Sequence, residues 1–201
     1  MTRDLLGQRV AAFDRHEHPL DGRKAAAVAV VVVGEPRHEQ ENGVLLTKRA
    51  PRMRTHPGQW ALPGGRIDRG ETPADAALRE LHEELALELD DAAVFGLLDD
   101  YPTRSGYRIT PVVMWLAGDP GDLEPNPHEV ASVHVATWPM LGVEPIFLTI
   151  EESDRPVIQL PMLGTRIHAP TAAVLYQFRE LALHGRTTRV DGLEQPVWAW
   201  R

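Results

Sequence analysis

Residues 65 to 87 read Gly-Arg-Ile-Asp-Arg-Gly-Glu-Thr-Pro-Ala-Asp-Ala-Ala-Leu-Arg-Glu-Leu-His-Glu-Glu-Leu-Ala-Leu. A helix is expected from Thr72 onward. Thr72 is a good N-cap, Pro73 takes the first helical position, and Asp75 follows the cap in capping-box style. At helical spacing Ala74, Leu78, Leu81 and Leu85 fall on one stripe, which is expected to face a core. Glu80, Glu83 and Glu84 stand at i, i+3 and i+4 on a neighbouring face, where like charges repel. Glu83 and Glu84 also occupy the last turn, where the macrodipole disfavours anions, and no Lys or Arg follows at i+4. A run of charges usually means a solvated face. Beside a Gly-Gly turn, an uncompensated carboxylate cluster fits a hard divalent cation better. Mg²⁺ or Mn²⁺ takes carboxylate oxygens and bridges to substrate phosphates.

The order Gly65, then Glu71, then Arg79-Glu80-Leu81, then Glu83-Glu84 closely resembles the signature of the Nudix hydrolases. That signature ordinarily closes with Gly and an aliphatic residue; here Ala86 and Leu87 stand there. A helix end favours Gly because the chain turns left-handed, so Ala86 is expected to cost about 1 kcal/mol if the turn is kept. The resemblance implies an α/β fold, a Nudix-like α/β/α sandwich with a mixed β-sheet. It implies Glu83 and Glu84 as the main metal ligands. Glu80 either ligates as well or orients water, and the Gly64 carbonyl completes the shell. Arg79 would fix the carboxylates by salt bridge, and Glu71 would brace the loop through Arg79. Such enzymes often take a further acidic residue from outside the signature as base or ligand. Glu129, in Asn126-Pro127-His128-Glu129-Val130, is the candidate here, set against an ordinary strand-edge glutamate, with Glu124 in reserve.

A second stretch precedes the first: Leu45-Leu46-Thr47-Lys48-Arg49-Ala50, then Arg54, Gly58 and Leu62-Pro63-Gly64-Gly65. It resembles the extra motif of the coenzyme A diphosphatase branch of that family, with Leu62 where Phe is usual. Pro102-Thr103-Arg104-Ser105-Gly106-Tyr107-Arg108-Ile109-Thr110-Pro111-Val112-Val113 resembles the same branch. After residue 135 or so the resemblance weakens, and His168-Ala169 replaces a usual Trp-Gly. What it implies is hydrolysis of coenzyme A or acyl-coenzyme A to 3′,5′-ADP and 4′-phosphopantetheine. Arg49, Arg52 and Arg54 crowd beside the glycine turn, and arginine offers forked donors suited to phosphate; an exposed basic loop is the plain alternative. His56 could touch phosphate, but a loop histidine is more often incidental. Two other functions stay open. One is a pyrophosphatase for ADP-ribose, dinucleotides or nucleotides. The other is a non-catalytic nucleotide-sensing module, although such a module has no need of the full glutamate set.

The 201-residue chain carries net charge -8. That argues against a nucleic-acid binder, which needs a basic face. It allows a small anionic substrate only where a metal and local arginines reverse the field. With no cysteine, disulfides, thiol nucleophiles and Cys-based zinc sites are excluded. The longest apolar run, Ala25 to Val33, is Val-rich and too short to span a bilayer, so it reads as a buried strand. The N-terminus lacks the basic-then-apolar layout of a signal peptide. A cytoplasmic protein without membrane contact is expected, and a homodimer is compatible with this composition.

Along the chain, one domain over 1–201 is expected. Residues 3–15 read as an amphipathic helix with Leu6, Val10 and Phe13 on one side. His16 to Gly22 reads as an exposed polar connector rather than a metal site. Strands are expected at 25–33 and 43–49 around a polar hairpin Gly34 to Gly43, and again at 93–99, 107–117 and 130–136, with a loop at 119–127. Trp138 to Leu141 suits a helical turn. The extension from about 143 to 201 holds a hairpin or irregular insert over 143–163, with its tip at 151–154. A helix Thr171 to His184 with Gly185 as C-cap follows, then a strand-like Val197-Trp198-Ala199-Trp200.

Overall fold

The computed structural model describes residues 1–34, 42–53, 56–118, 120 and 123–199. The tip of the Gly34 to Gly43 hairpin, Arg54 and Trp200 lie outside the described residues. The Val-rich run forms β1 (Lys24–Gly34) at the middle of a mixed sheet. It runs parallel to β7 (Tyr107–Ala117) from Lys24 beside Tyr107 to Gly34 beside Ala117, and antiparallel to β2 (Gly43–Arg49) and β4 (Gly64–Arg66). A central strand is covered on both faces, which is why β1 is a continuous apolar run rather than an alternating one. Ala27, Ala29, Val31 and Val33 enter one core, and Val30 and Val32 enter the other. β3 (Trp60–Ala61) and β8 (Val130–Thr137) pair with β2; β5 (Val94–Leu97) and β6 (Tyr101–Pro102) pair with β7.

Helices cover both faces, giving the α/β/α layering expected. On one side lies α2 (Pro73–Leu85). On the other lie α1 (Arg3–Ala11), the turn α3 (Trp138–Leu141) and α4 (Thr171–His184). α1 ends at Ala11, short of residue 15, yet Leu6, Val10 and Phe13 are all buried. The insert is a small antiparallel sheet of β9 (Ile146–Ile150), β10 (Ser153–Met162) and β11 (Thr165–His168), so the expected hairpin gains a third strand. No helix among the described residues is long and apolar enough to cross a membrane.

One expectation is corrected and another gains detail. Val197–Ala199 is a 3₁₀ turn rather than a strand. Pro196 opens it and accepts a hydrogen bond from Ala199 N at 2.9 Å, so the backbone groups there are spent locally. The His16 to Gly22 connector is largely exposed, as expected, and its backbone is pinned: His16 N and His18 N donate to Asp99 Oδ1 and Asp100 Oδ2, at 2.7 and 3.1 Å. Those two aspartates are buried, and these amides join Gln177, Arg189, Arg15 and Thr110 in satisfying them.

α2 begins as expected. Thr72 Oγ1 accepts from Asp75 N, and the Asp75 carboxylate accepts from Thr72 N. Its roll differs from the expected stripe. Ala76, Ala77, Leu81, Glu84 and Leu85 are buried, whereas Ala74 and Leu78 are only half covered. The small Ala76 and Ala77 let the helix lie close on the sheet, and this roll carries Glu84 inward. Ala86 ends the helix with φ 53°, in the left-handed region, and Leu87 N closes the turn onto Leu81 O at 3.3 Å. Ala86→Gly should therefore raise stability by up to about 1 kcal/mol in urea melts, with catalytic competence intact. A loss of stability would mean that Ala86 carries no strain.

Candidate metal and phosphate site

The glycine turn and α2 are fastened together by Arg79. Its Nε donates to Glu71 Oε1 at 2.8 Å and its Nη2 to Glu71 Oε2 at 3.2 Å. Nη2 also donates to the Arg66 carbonyl at 2.9 Å. Nη1 reaches Glu80 Oε1 at 2.9 Å and Glu83 Oε2 at 3.0 Å. Glu71 in turn accepts from Asp68 N at 2.8 Å, which holds the turn's backbone. The Arg79 hydrogen bonds, and then the Asp68 amide, keep the Glu71 carboxyl below the usual range. The salt bridge that the resemblance implied for Arg79 is present, and only the reading of the cluster as uncompensated is corrected. The cluster does have a cationic partner, placed before Glu80 and Glu83 in the helix rather than after them. What stays uncompensated by Arg79 is Glu84.

Glu80 and Glu84 point under the glycine turn. Gly64 has φ 153°, and a Cβ there would overlap the Ala27 carbonyl. A Cβ at Gly65 would overlap the Glu80 carboxylate itself. Both glycines are thus required by close approach. Burial, opposed by Arg79 and assisted by Glu83 and Glu129, raises the Glu80 pKa. Glu84 is only 4% exposed. Burial first, then the charges of Glu80 and Glu129, push its carboxyl up to about 8, against the pull of Arg49 and a Gly64 backbone hydrogen bond. Its Oε2 is buried without a hydrogen-bond partner among the described residues. A buried orphan acceptor among mutually raised carboxylates fits a hard divalent cation, which would neutralise the crowd and occupy the orphan lone pairs. Glu83, more exposed and held by Arg79, stands at the rim.

The loop after β7 brings the outlying acid in. Glu124 N donates to Leu85 O and Asn126 N to Glu84 O, at 3.1 and 2.8 Å, so the loop caps the last carbonyls of α2. Glu129 is then anchored by its own carbonyl, which accepts from Ala50 N at 2.8 Å. Its side chain lies near enough to raise both Glu80 and Glu84. The Glu124 side chain is exposed.

A cleft of about 480 Å³ opens beside Gly64 and Gly65. Arg49 and His56 line it, together with Trp60, Leu62, Tyr107 and Val174. Arg49 Nε is buried with no partner among the described residues, and its charge reaches both Glu84 and His56. Burial, then Arg49, lowers the His56 pKa, which favours a neutral imidazole. Arg52 sits on an exposed turn away from the cleft lining. Residues that sequence reasoning passed over include Arg66, whose Nη2 donates to Tyr107 Oη at 3.1 Å, and Gln195 and Ala199 from the C-terminal tail. The quoted 102–113 stretch contained Tyr107; nothing local marked Gln195.

A model of the NUDIX domain matches residues 23–160. An uncharacterized Nudix hydrolase NudL of Klebsiella aerogenes is 43% identical over 99 residues, covering 49% of this chain and 78% of that protein. Another, of Enterobacter sp. (strain 638), is 42% identical over 111 residues, covering 55% of this chain and 52% of that one. The matched part spans about half the length of most such relatives. Among solved structures, the Nudix hydrolase RenU of M. Smegmatis superposes with TM-score 0.54 at 23% identity, over 84% of this chain and 91% of that one. A NUDIX hydrolase from Nitrosomonas europaea gives TM-score 0.54 at 20% identity, over 85% and 77%. Both likenesses are of fold.

A raised acid pKa has a definite consequence for the metal-free protein. The folded state holds the Glu84 proton more tightly than the unfolded chain does. The cost is absent below about pH 4.5, grows above it, and is complete beyond about pH 8. In EDTA, stability should therefore fall by a few kcal/mol across that window, and Glu84→Gln should flatten the fall. Parallel wild-type and Glu84→Gln stability curves from pH 5 to 9 would contradict the buried-carboxylate account.

Proposed function

This chain belongs to the NUDIX domain family, and from that premise we propose that it hydrolyses the diphosphate bridge of coenzyme A or an acyl-coenzyme A. The observation that supports this most is a pair of opposite orphans at one place. Glu84 Oε2 lacks a donor and Arg49 Nε lacks an acceptor, and the two groups feel each other's charge. A cation together with a phosphate oxygen would satisfy both. The apolar wall of the same cleft, made by Trp60, Leu62, Ile109 and Val174, suits the long uncharged arm that continues from the diphosphate.

Glu83, Glu84 and Glu80, with the Gly64 backbone, are the groups proposed to hold Mg²⁺ or Mn²⁺. When bound, such an ion neutralises phosphoryl charge and lowers the pKa of water. The chain's own residues do the rest. Arg79 and Glu71 keep the glycine turn and the carboxylates in fixed positions, so no reorganisation accompanies the reaction. Glu129 is the proposed base: it takes a proton from the attacking water as the new P–O bond forms and the bridging P–O bond breaks. The departing phosphate monoester leaves as a stable anion and needs no protonation. Arg49 is proposed for the diphosphate oxygens, which is a more specific role than the general phosphate contact expected from its place in the motif.

Turnover of coenzyme A should exceed that of ADP-ribose, dinucleotides and nucleotides when measured with Mg²⁺ or Mn²⁺ and product identification. A higher kcat/KM for ADP-ribose would reassign the substrate, and tight ligand binding without turnover would revive the sensing module. Glu84→Gln should cut kcat by orders of magnitude. Arg49→Ala should raise KM for coenzyme A and dephospho-coenzyme A alike. A loss confined to coenzyme A would move Arg49 to the 3′-phosphate.

A further inference from the structure

On a part of the molecule away from the glutamate cluster, the connector after α1 meets the segment after α4. His16 and His18 stand two apart in an extended stretch pinned by Asp99 and Asp100, which turns both imidazoles to one side. Their ring centroids are 4.4 Å apart. Asp191, from the C-terminal segment, faces them, with Oδ2 3.4 Å from His18 Nε2. One ligand atom from each of the three lies within 4.8 Å of the others.

Two features distinguish this group from an ordinary ion pair. Among the described residues His18 Nε2 is buried and makes no hydrogen bond, although Asp191 is in ion-pair range. Two ligands each about 2.0–2.1 Å from a tetrahedral ion stand about 3.4 Å apart. The His18–Asp191 spacing is compatible with two ligands of one ion, and the three ligand atoms all lie within 4.8 Å of one another. Of the neighbouring cations, Arg155 donates to the Asp191 carbonyl and three others are paired with other acids. Arg189 is paired with Asp99 and Asp14, and Arg15 and Arg108 share Asp100 and Glu17. The Asp191 carboxylate is left to face the imidazoles.

We propose that His16, His18 and Asp191 form a second metal site, for a late first-row divalent cation of the zinc kind. Imidazole donors favour such ions over Mg²⁺, whereas the all-oxygen glutamate cluster favours the hard ions. The ion would clasp the N-terminal connector to the C-terminal segment. Just beyond Asp191, Glu194 Oε2 accepts from Arg104 Nε and Gln195 Oε1 from Arg104 N, at 2.7 and 2.9 Å. The clasp would thus steady the 103–107 turn, whose Thr103, Ser105 and Tyr107 line the cleft.

The test is calorimetric titration of the whole protein with ZnCl₂ at pH 7.5 under saturating Mg²⁺, paired with thermal melts. Wild type should show a saturable zinc event that survives Mg²⁺, and a zinc-dependent rise in Tm. His16→Ala and Asp191→Asn should weaken that event at least tenfold and abolish the rise. The His16 side chain is exposed, so its variant should fold normally. His18→Asn serves as the third variant; if it lowers Tm without zinc, the other two still decide. Zinc titrations unchanged in His16→Ala and Asp191→Asn, or no saturable zinc event alongside Mg²⁺, would overturn the proposal.

Discussion

The Arg79 guanidinium holds together parts of the chain that would otherwise separate. Glu71 and the Arg66 carbonyl belong to the glycine turn, while Glu80 and Glu83 belong to α2, and one side chain binds all of them. The planar fork makes this possible, since a lysine ammonium cannot serve a bidentate carboxylate and other acceptors in one plane. With Arg79 in place, Gly65 can lie directly on the Glu80 carboxylate, and Gly64 on the backbone of β1. The carboxylates are then trapped close together under a turn that cannot open to relieve them.

That trap explains the electrostatics. Burial and mutual repulsion raise Glu80 and Glu84, and the loop bearing Glu129 adds a further negative charge. In a protein of net charge -8 this arrangement looks unfavourable for an anionic substrate. Under the proposed function a divalent ion would supply the missing positive charge and Arg49 would meet the oxygens beyond it. The sheet underneath is rigid for an ordinary reason: β1 is buried on both faces and paired with β7 along its whole length. The site therefore stands beside the most continuously paired strand, and the adjoining cleft is lined by turns and by the C-terminal segment.

Much of this is legible in the sequence because the signals are local. Thr72, Pro73 and Asp75 mark the start of α2, and the bounds of β7 and α4 follow from periodicity and from Gly185. The errors have physical sources too. With no cation after the glutamates, helical spacing alone made the cluster read as uncompensated, whereas the pair Arg79–Glu83 runs from the cation to the acid and only the family resemblance pointed to Arg79. The stripe of Leu78 and Leu81 suggested one roll of α2, but Ala76 and Ala77 allowed a closer approach with another. Gln195 and Ala199 reach the cleft from a segment distant in sequence, which no window of neighbouring residues can reveal. The alternating Val197-Trp198-Ala199 pattern lost to Pro196.

The central claim is that Glu84, buried and lacking a donor at Oε2, exists to hold a divalent ion. Mn²⁺ binding followed by electron paramagnetic resonance at pH 8 tests this most directly, in wild type and in Glu84→Gln. Removing one charged ligand from a compact carboxylate site should weaken Mn²⁺ binding by at least about tenfold, roughly 1.4 kcal/mol. Equal Mn²⁺ affinity in the two proteins would contradict the account.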